Sequence, residues 1–305
     1  MMRALASFIL RGYSQAMLVV VGTAVLALVL PPFSLLSGAA LALASLRNGA
    51  QYGLTVMLGA TAVVAGLAYF SLGNLLPALA FLGILWLPLW IVSWVLREFR
   101  SLALATIVTG GLGVLAVLAA YLLVGDISQW WQDQLMLIFE PAIQQGGALA
   151  DRATVQGILA EISKMMTGIA AAGMVLNSIL CLYLARGWQA TLFNPGGFRS
   201  EFYELRLGRA VAIVALLVVL ISLLPAAGLA QLADEVMIVL LALYVVQGLA
   251  LIHAIVAKRK LHMAWLVGVY VVVFFVLPQL LALIAVLGLV DSWADFRKRV
   301  AEKAA

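Results

Sequence analysis

The feature that most constrains this chain is the spacing of its charges. Apolar runs of roughly 15–25 residues follow one another along the sequence, separated only by short charged stretches. A helix rises about 1.5 Å per residue, so about 20 apolar residues cross a hydrocarbon core of about 30 Å. Of 305 residues, 66% are hydrophobic and 10% charged. Soluble domains hold about 45–50% apolar and about 25% charged residues, and no soluble fold covers an excess of this size. Lipid offers no partner to an unpaired backbone N–H or C=O, and the runs lack the alternation of barrel strands. The expected fold class is therefore all-α, a polytopic transmembrane helical bundle forming a single domain over 1–305.

Ten apolar segments are expected, at 14–30, 34–46, 52–70, 75–96, 102–124, 165–185, 209–224, 236–257, 262–276 and 279–290. Two of them, 34–46 and 279–290, would reach only about 18 Å as helices. They are expected to be short or broken pieces lying beside Pro31-Pro32 and Pro278, giving about eight to ten membrane segments. The first run follows Arg3 and Arg11 and has no small-residue cleavage site, so it is expected to be retained rather than removed as a leader.

Lysine and arginine collect in cytoplasmic loops of membrane proteins. With the N-terminus inside, every basic residue except Arg152 and Lys164 falls in a cytoplasmic piece. The outer pieces carry Asp126, Asp133, Glu140, Asp151, Glu161, Asp234 and Glu235. This sorting predicts both termini in the cytoplasm, a broken or hairpin-like last segment, and residence in a bacterial inner membrane. The net charge of +5 then reflects topology, and no basic surface on a soluble domain points to nucleic acid.

Two connections and a tail stand out. In the outer connection, 125–164, Asp126, Asp133 and Glu140 recur every seventh residue. Trp130, Trp131, Leu135 and Ile138 are left for another face, the pattern of an interfacial helix that Glu140-Pro141 and Gly146-Gly147 should end. The cytoplasmic connection, 186–208, turns at Asn194-Pro195-Gly196-Gly197 and mixes Phe198, Phe202 and Tyr203 with Arg199 and Arg206. Phe198, Arg199, Phe202 and Arg206 are the candidate contacts to anionic lipid or to a membrane or cytoplasmic protein partner. In the basic tail, 291–305, Asp291 and Asp295 can pair with the Arg297-Lys298-Arg299 run.

No nucleotide-binding glycine loop, zinc-binding histidine pair or serine elbow is present, so no catalytic residue, metal or cofactor is assigned and the chain is not expected to be an enzyme. The single cysteine, Cys181, excludes an internal disulfide. Neutral polar groups deep in apolar runs mark either a ligand site or a bond between helices. Asn177, Tyr244 and Gln247 are the candidate ligand-binding residues on this ground, and replacing Gln247 or Asn177 by leucine is expected to abolish binding of a small molecule without unfolding the chain. Small residues four apart, Gly49 with Gly53, Gly38 with Ala42 and Ala40 with Ala44, allow close helix packing, within the chain or against a partner helix.

The blocks Tyr244 to His253 and Leu287 to Arg299, with Asn194-Pro195-Gly196-Gly197-Phe198 and Leu46-Arg47-Asn48-Gly49, resemble the YybS-like family of bacterial multipass membrane proteins. That family is in turn remotely similar to the substrate-binding subunits of energy-coupling-factor transporters. The resemblance implies a ligand toward the outer side, capped by 125–164, and a membrane partner driven by ATPases, although those subunits usually have six segments. The sequence thus points to a non-catalytic subunit for small-molecule binding or transport, energised by a separate partner. The alternative is a membrane scaffold that assembles a complex without handling solute.

Overall fold

The structure, a computed structural model, describes residues 2–144, 152–275 and 277–302. Among these residues there are helices and no strand. In chain order the helices are α1 (Met2–Ile9), α2 (Tyr13–Ala27), α3 (Phe33–Asn48), α4 (Ala50–Leu72) and α5 (Leu76–Ala80). A π-helical stretch, Phe81–Trp86, joins α5 to α6 (Leu87–Phe99). There follow α7 (Leu102–Leu123), α8 (Ile127–Gln144), α9 (Arg152–Ser163), α10 (Met166–Phe193), α11 (Gly197–Tyr203) and α12 (Gly208–Ser222). The last are α13 (Ala227–Lys258), α14 (Ala264–Phe275), α15 (Leu277–Ala294) and α16 (Phe296–Glu302).

Five helical units are long and apolar enough to cross a membrane: α4, the unit Leu76–Phe99, α7, α10 and Gly228–Lys258 of α13. A sixth forms if α11 and α12, bent by 49° at their junction, count as one span. Shorter apolar helices, α2 and the described parts of α14 and α15, complete a bundle of full, short and broken segments.

The core is built around α3. Ten consecutive residues, Ser37 to Leu46, are buried, and α3 packs against α2, α4, α6 and α10. A helix that is apolar or small on every side fits such a central position. Its polar groups are satisfied by neighbours: Ser37 Oγ donates to Val20 O at 2.8 Å and accepts from Trp86 Nε1 at 3.1 Å, joining α2, α3 and the π-helical stretch. The free carbonyls at the C-terminus of α3 are met by α6, where Arg97 Nη1 donates to Leu46 O at 2.6 Å and to Arg47 O at 2.8 Å. Gly38 lies against Cys181 and Leu89, while Ala40, Ala42 and Ala44 are fully buried inside the chain. Gly49 has a different role, since its φ of +105° makes the turn from α3 into α4.

Two local expectations are corrected. Helix α8 continues through Pro141 to Gln144; proline removes one backbone donor, a loss the helix absorbs near its end. Gly146-Gly147 lie outside the described residues. Glu235 is not in a loop: α13 begins at Ala227, which draws Glu235 into the helix, where it is fully buried.

Candidate functional site

One end of the bundle gathers most of the basic side chains, and the connection between α10 and α12 organises it. After Phe193 the chain turns at Asn194 to Gly196, with Gly196 in the left-handed region at φ +88°, and the short helix α11 folds back along α10 and α13. That return puts Phe198 and Phe202 one turn apart on the inner side of α11. Their rings lie 6.0 Å from each other and 5.7 and 5.8 Å from Tyr183 of α10. The ring of His253, on α13, lies 5.5 Å from Phe202 and 6.4 Å from Tyr203. Its Nε2 is 2.9 Å from the Tyr270 hydroxyl of α14.

These rings line a cleft of about 630 Å³, with Arg199 and Lys260 also lining it. Arg199 Nε donates to the Tyr203 hydroxyl at 2.6 Å and its guanidinium sits 5.3 Å from the centre of that ring. The result is an aromatic wall with positive charge beside it, in the size range of small-molecule sites. Three of the four loop residues singled out from the sequence, Phe198, Arg199 and Phe202, therefore meet in one cleft. The fourth, Arg206, faces a different cavity, of about 440 Å³, lined also by Lys258, Arg297 and Lys298. There Arg206 bonds to Asp295, whose carboxyl it holds down at about 2. Lys298 Nζ lies 3.4 Å from the same aspartate. Arg297 is buried with Asp291 at 3.4 Å, and burial pushes its guanidinium pKa down.

Gln247 is fully buried, and all its polar capacity is turned inward. Its Oε1 accepts from Leu207 N at 2.8 Å, and its Nε2 donates to Gly288 O at 2.5 Å and to Ser292 Oγ at 3.2 Å. The amide thus ties the start of α12 and the length of α15 to α13. Tyr244, one turn earlier, is buried near Ser292 without a hydrogen bond of good geometry. Asn177 is half-buried on α10 and lines none of the cavities described here. Gln247→Leu is accordingly expected to reduce stability, because it leaves the buried Leu207 N unpaired at about 1–3 kcal/mol and removes the amide's bond to α15. Thermal unfolding in detergent measures this; an unchanged midpoint together with loss of a bound molecule would return Gln247 to the ligand-binding role.

Three further residues, His253, Tyr270 and Glu235, are not announced by the sequence. His253 and Tyr270 belong to separate apolar segments, and nothing local in either one announces the other. Glu235, beside Thr167 and Tyr121 yet without a hydrogen bond of good geometry, reads in the sequence as a loop residue because charge normally marks a segment boundary. The mostly apolar stretch Leu229 to Ala233 before it, interrupted by Gln231, is the available signal. At that opposite end Trp131 Nε1 donates to Thr167 Oγ1 at 2.9 Å and Gln231 to Ser128 at 2.8 Å, seating α8 on α10 and α13. Among the described residues no three of His, Cys, Asp or Glu gather where a metal could be held.

Residues 16–292 match the family model described as predicted membrane protein (DUF2232). No curated protein and no solved structure matches the chain.

Proposed function

Because the chain belongs to the DUF2232 family of predicted membrane proteins, we propose that it is a non-catalytic membrane subunit that binds a small amphipathic molecule in the aromatic cleft at its basic end. The observation that carries this reading is the convergence of Phe198, Phe202 and Tyr203 with Tyr183, His253 and Tyr270 around one cavity, with Arg199 and Lys260 beside it. Flat apolar rings suit a hydrophobic or aromatic body, and the two cations suit an anionic or strongly polar head. Any transport of that molecule draws its energy from a separate partner. The excess of lysine and arginine at this end favours placing it on the cytoplasmic side of a bacterial inner membrane.

The YybS-like resemblance by itself carries no activity. The further likeness to energy-coupling-factor subunits would put the ligand at the opposite end, under 125–164, and the aromatic cleft favours the basic end instead. The scaffold reading draws support from one feature, the exposed turn from Phe193 to Gly196, a surface suited to a protein partner.

Native mass spectrometry of the gently extracted protein tests the proposal. The wild type should retain a stoichiometric small molecule, and Phe202→Ala with His253→Ala should weaken its retention roughly tenfold or more, as expected for losing two ring contacts. Retention equal to wild type by a folded double variant would exclude the cleft. A bare wild-type chain that carries a protein through Phe193 and Pro195 would favour the scaffold.

A further inference from the structure

A second cavity at the basic end is unlike the aromatic cleft in chemistry. It measures about 550 Å³ and its polar lining is Arg47, Arg97, Arg100, Arg186, Gln189 and Glu201. The four arginines come from three helices distant in sequence: Arg47 from the end of α3, Arg97 and Arg100 from the end of α6, and Arg186 from α10. Glu201, on α11, is the one carboxylate lining the cavity.

The commitments of the four guanidinium groups differ. Arg186 is held by Glu201, with Nε to Oε2 at 2.9 Å, and donates Nη1 to Gln189 Oε1 at 2.5 Å. Arg97 uses Nη1 on the last carbonyls of α3. Arg47 lies 4.0 Å from the centre of the Phe193 ring, a contact that fixes the side chain without neutralising it. The Arg100 side chain makes no hydrogen bond or ion pair among the described residues; its backbone ends α6 in the left-handed region at φ +50°, and the side chain lines the cavity beside the others. Four cations therefore face one anion around a concavity, next to a low-dielectric bundle where like charges repel more strongly than in water.

We propose that this cavity is a binding site for a phosphate group, carried by an anionic phospholipid headgroup or by a soluble phosphate ester. Guanidinium is the side chain best matched to phosphate oxygens, offering paired donors in a fixed plane. The cavity exceeds a bare phosphate in size, so it accommodates the ester's substituent as well. Arg47 and Arg100 are the primary contacts, neither having a carboxylate partner among the described residues. Arg97 and Arg186 are positioned by α3 and Glu201 and supply the field. The site is separate from the aromatic cleft and does not depend on the function proposed for it.

The test uses full-length protein, delipidated in a neutral detergent. It is titrated in one arm with phosphatidylglycerol against phosphatidylcholine, and in the other with inorganic phosphate and with glycerol 3-phosphate against chloride at matched ionic strength. Bound mass and thermal midpoint are read in both. Arg100→Gln and Arg47→Gln, at exposed positions, should each weaken binding about tenfold, the loss of a charge-assisted hydrogen bond. Arg209→Gln, an exposed arginine outside the cavity, should not. Phosphatidylglycerol retained selectively and lost in the two variants identifies a headgroup; a response to the soluble phosphates lost in the same variants identifies a free ester. The proposal is overturned if neither probe binds selectively, or if Arg209→Gln weakens binding as much as Arg100→Gln. An Arg100→Lys variant, which keeps the charge and loses the fork, should bind more weakly than wild type; full retention would reduce the site to a diffuse positive surface.

Discussion

Gly288→Val should lower stability by about 3 kcal/mol, the upper end of the penalty for overpacking. A Cβ at residue 288 would lie 2.4 Å from Tyr244 O and 2.8 Å from Gly248 N, and one at Gly248 would lie 2.1 Å from Ile284 O. These obstacles are backbone atoms, which no rotamer change can move aside. Separation of α13 from α15 would also pull Gly288 O away from Gln247, adding a broken hydrogen bond to the steric cost. Thermal unfolding of the solubilised protein checks this, with Gly66→Ala as the control because a Cβ there meets nothing within 4 Å. Equal midpoints for the two variants would show that the α13–α15 contact is looser than described.

Asp291→Ala is the second large effect, expected at about 3–5 kcal/mol because it strands a buried cation. Asp291 and Arg297 have side-chain exposures of 0% and 4%, so neither charge can be hydrated in place. Asp291 Oδ1 also accepts from Phe296 N at 3.2 Å, holding the start of α16. The signature that separates a stranded charge from ordinary truncation is rescue: Asp291→Leu with Arg297→Met should recover most of the loss, since a buried pair exchanged for apolar side chains is roughly neutral. A double variant as unstable as Asp291→Ala alone would show that the cost lies in the lost cap of α16.

The bundle is legible in the sequence because lipid imposes one rule on every span, and among the described residues each of the ten apolar segments is helical over most of its length. Their surroundings were less legible. The alanine and leucine of α3 would suit lipid as well as protein, and it is the packing of α2, α4, α6 and, far along the chain, α10 around them that decides they meet protein. Gln247 stands out in the sequence as a polar group deep in an apolar run, but its partners Leu207 and Gly288 lie some forty positions away on either side. The aromatic and basic character of 186–208 pointed to this connection, while the turning of Phe202 toward His253 depends on how α11 folds back. Glu235 shows the opposite limit, a charge that reads as a boundary yet lies within a helix.

The central place of α3 also bears on how the protein is made. This helix is synthesised early, but the side of it that holds Gly38 is closed by Leu89 of α6 and then by α10, the latter about 120 residues later, several seconds of translation at about 5–20 residues per second. During that interval Ser37 and the small residues of α3 have α2 as a neighbour, with α4 and α6 arriving in turn and α10 still to come. The N-terminal hairpin must therefore wait in the membrane, or in the insertion machinery, for its final partner, which makes this stage of biogenesis the one most exposed to substitutions in α10.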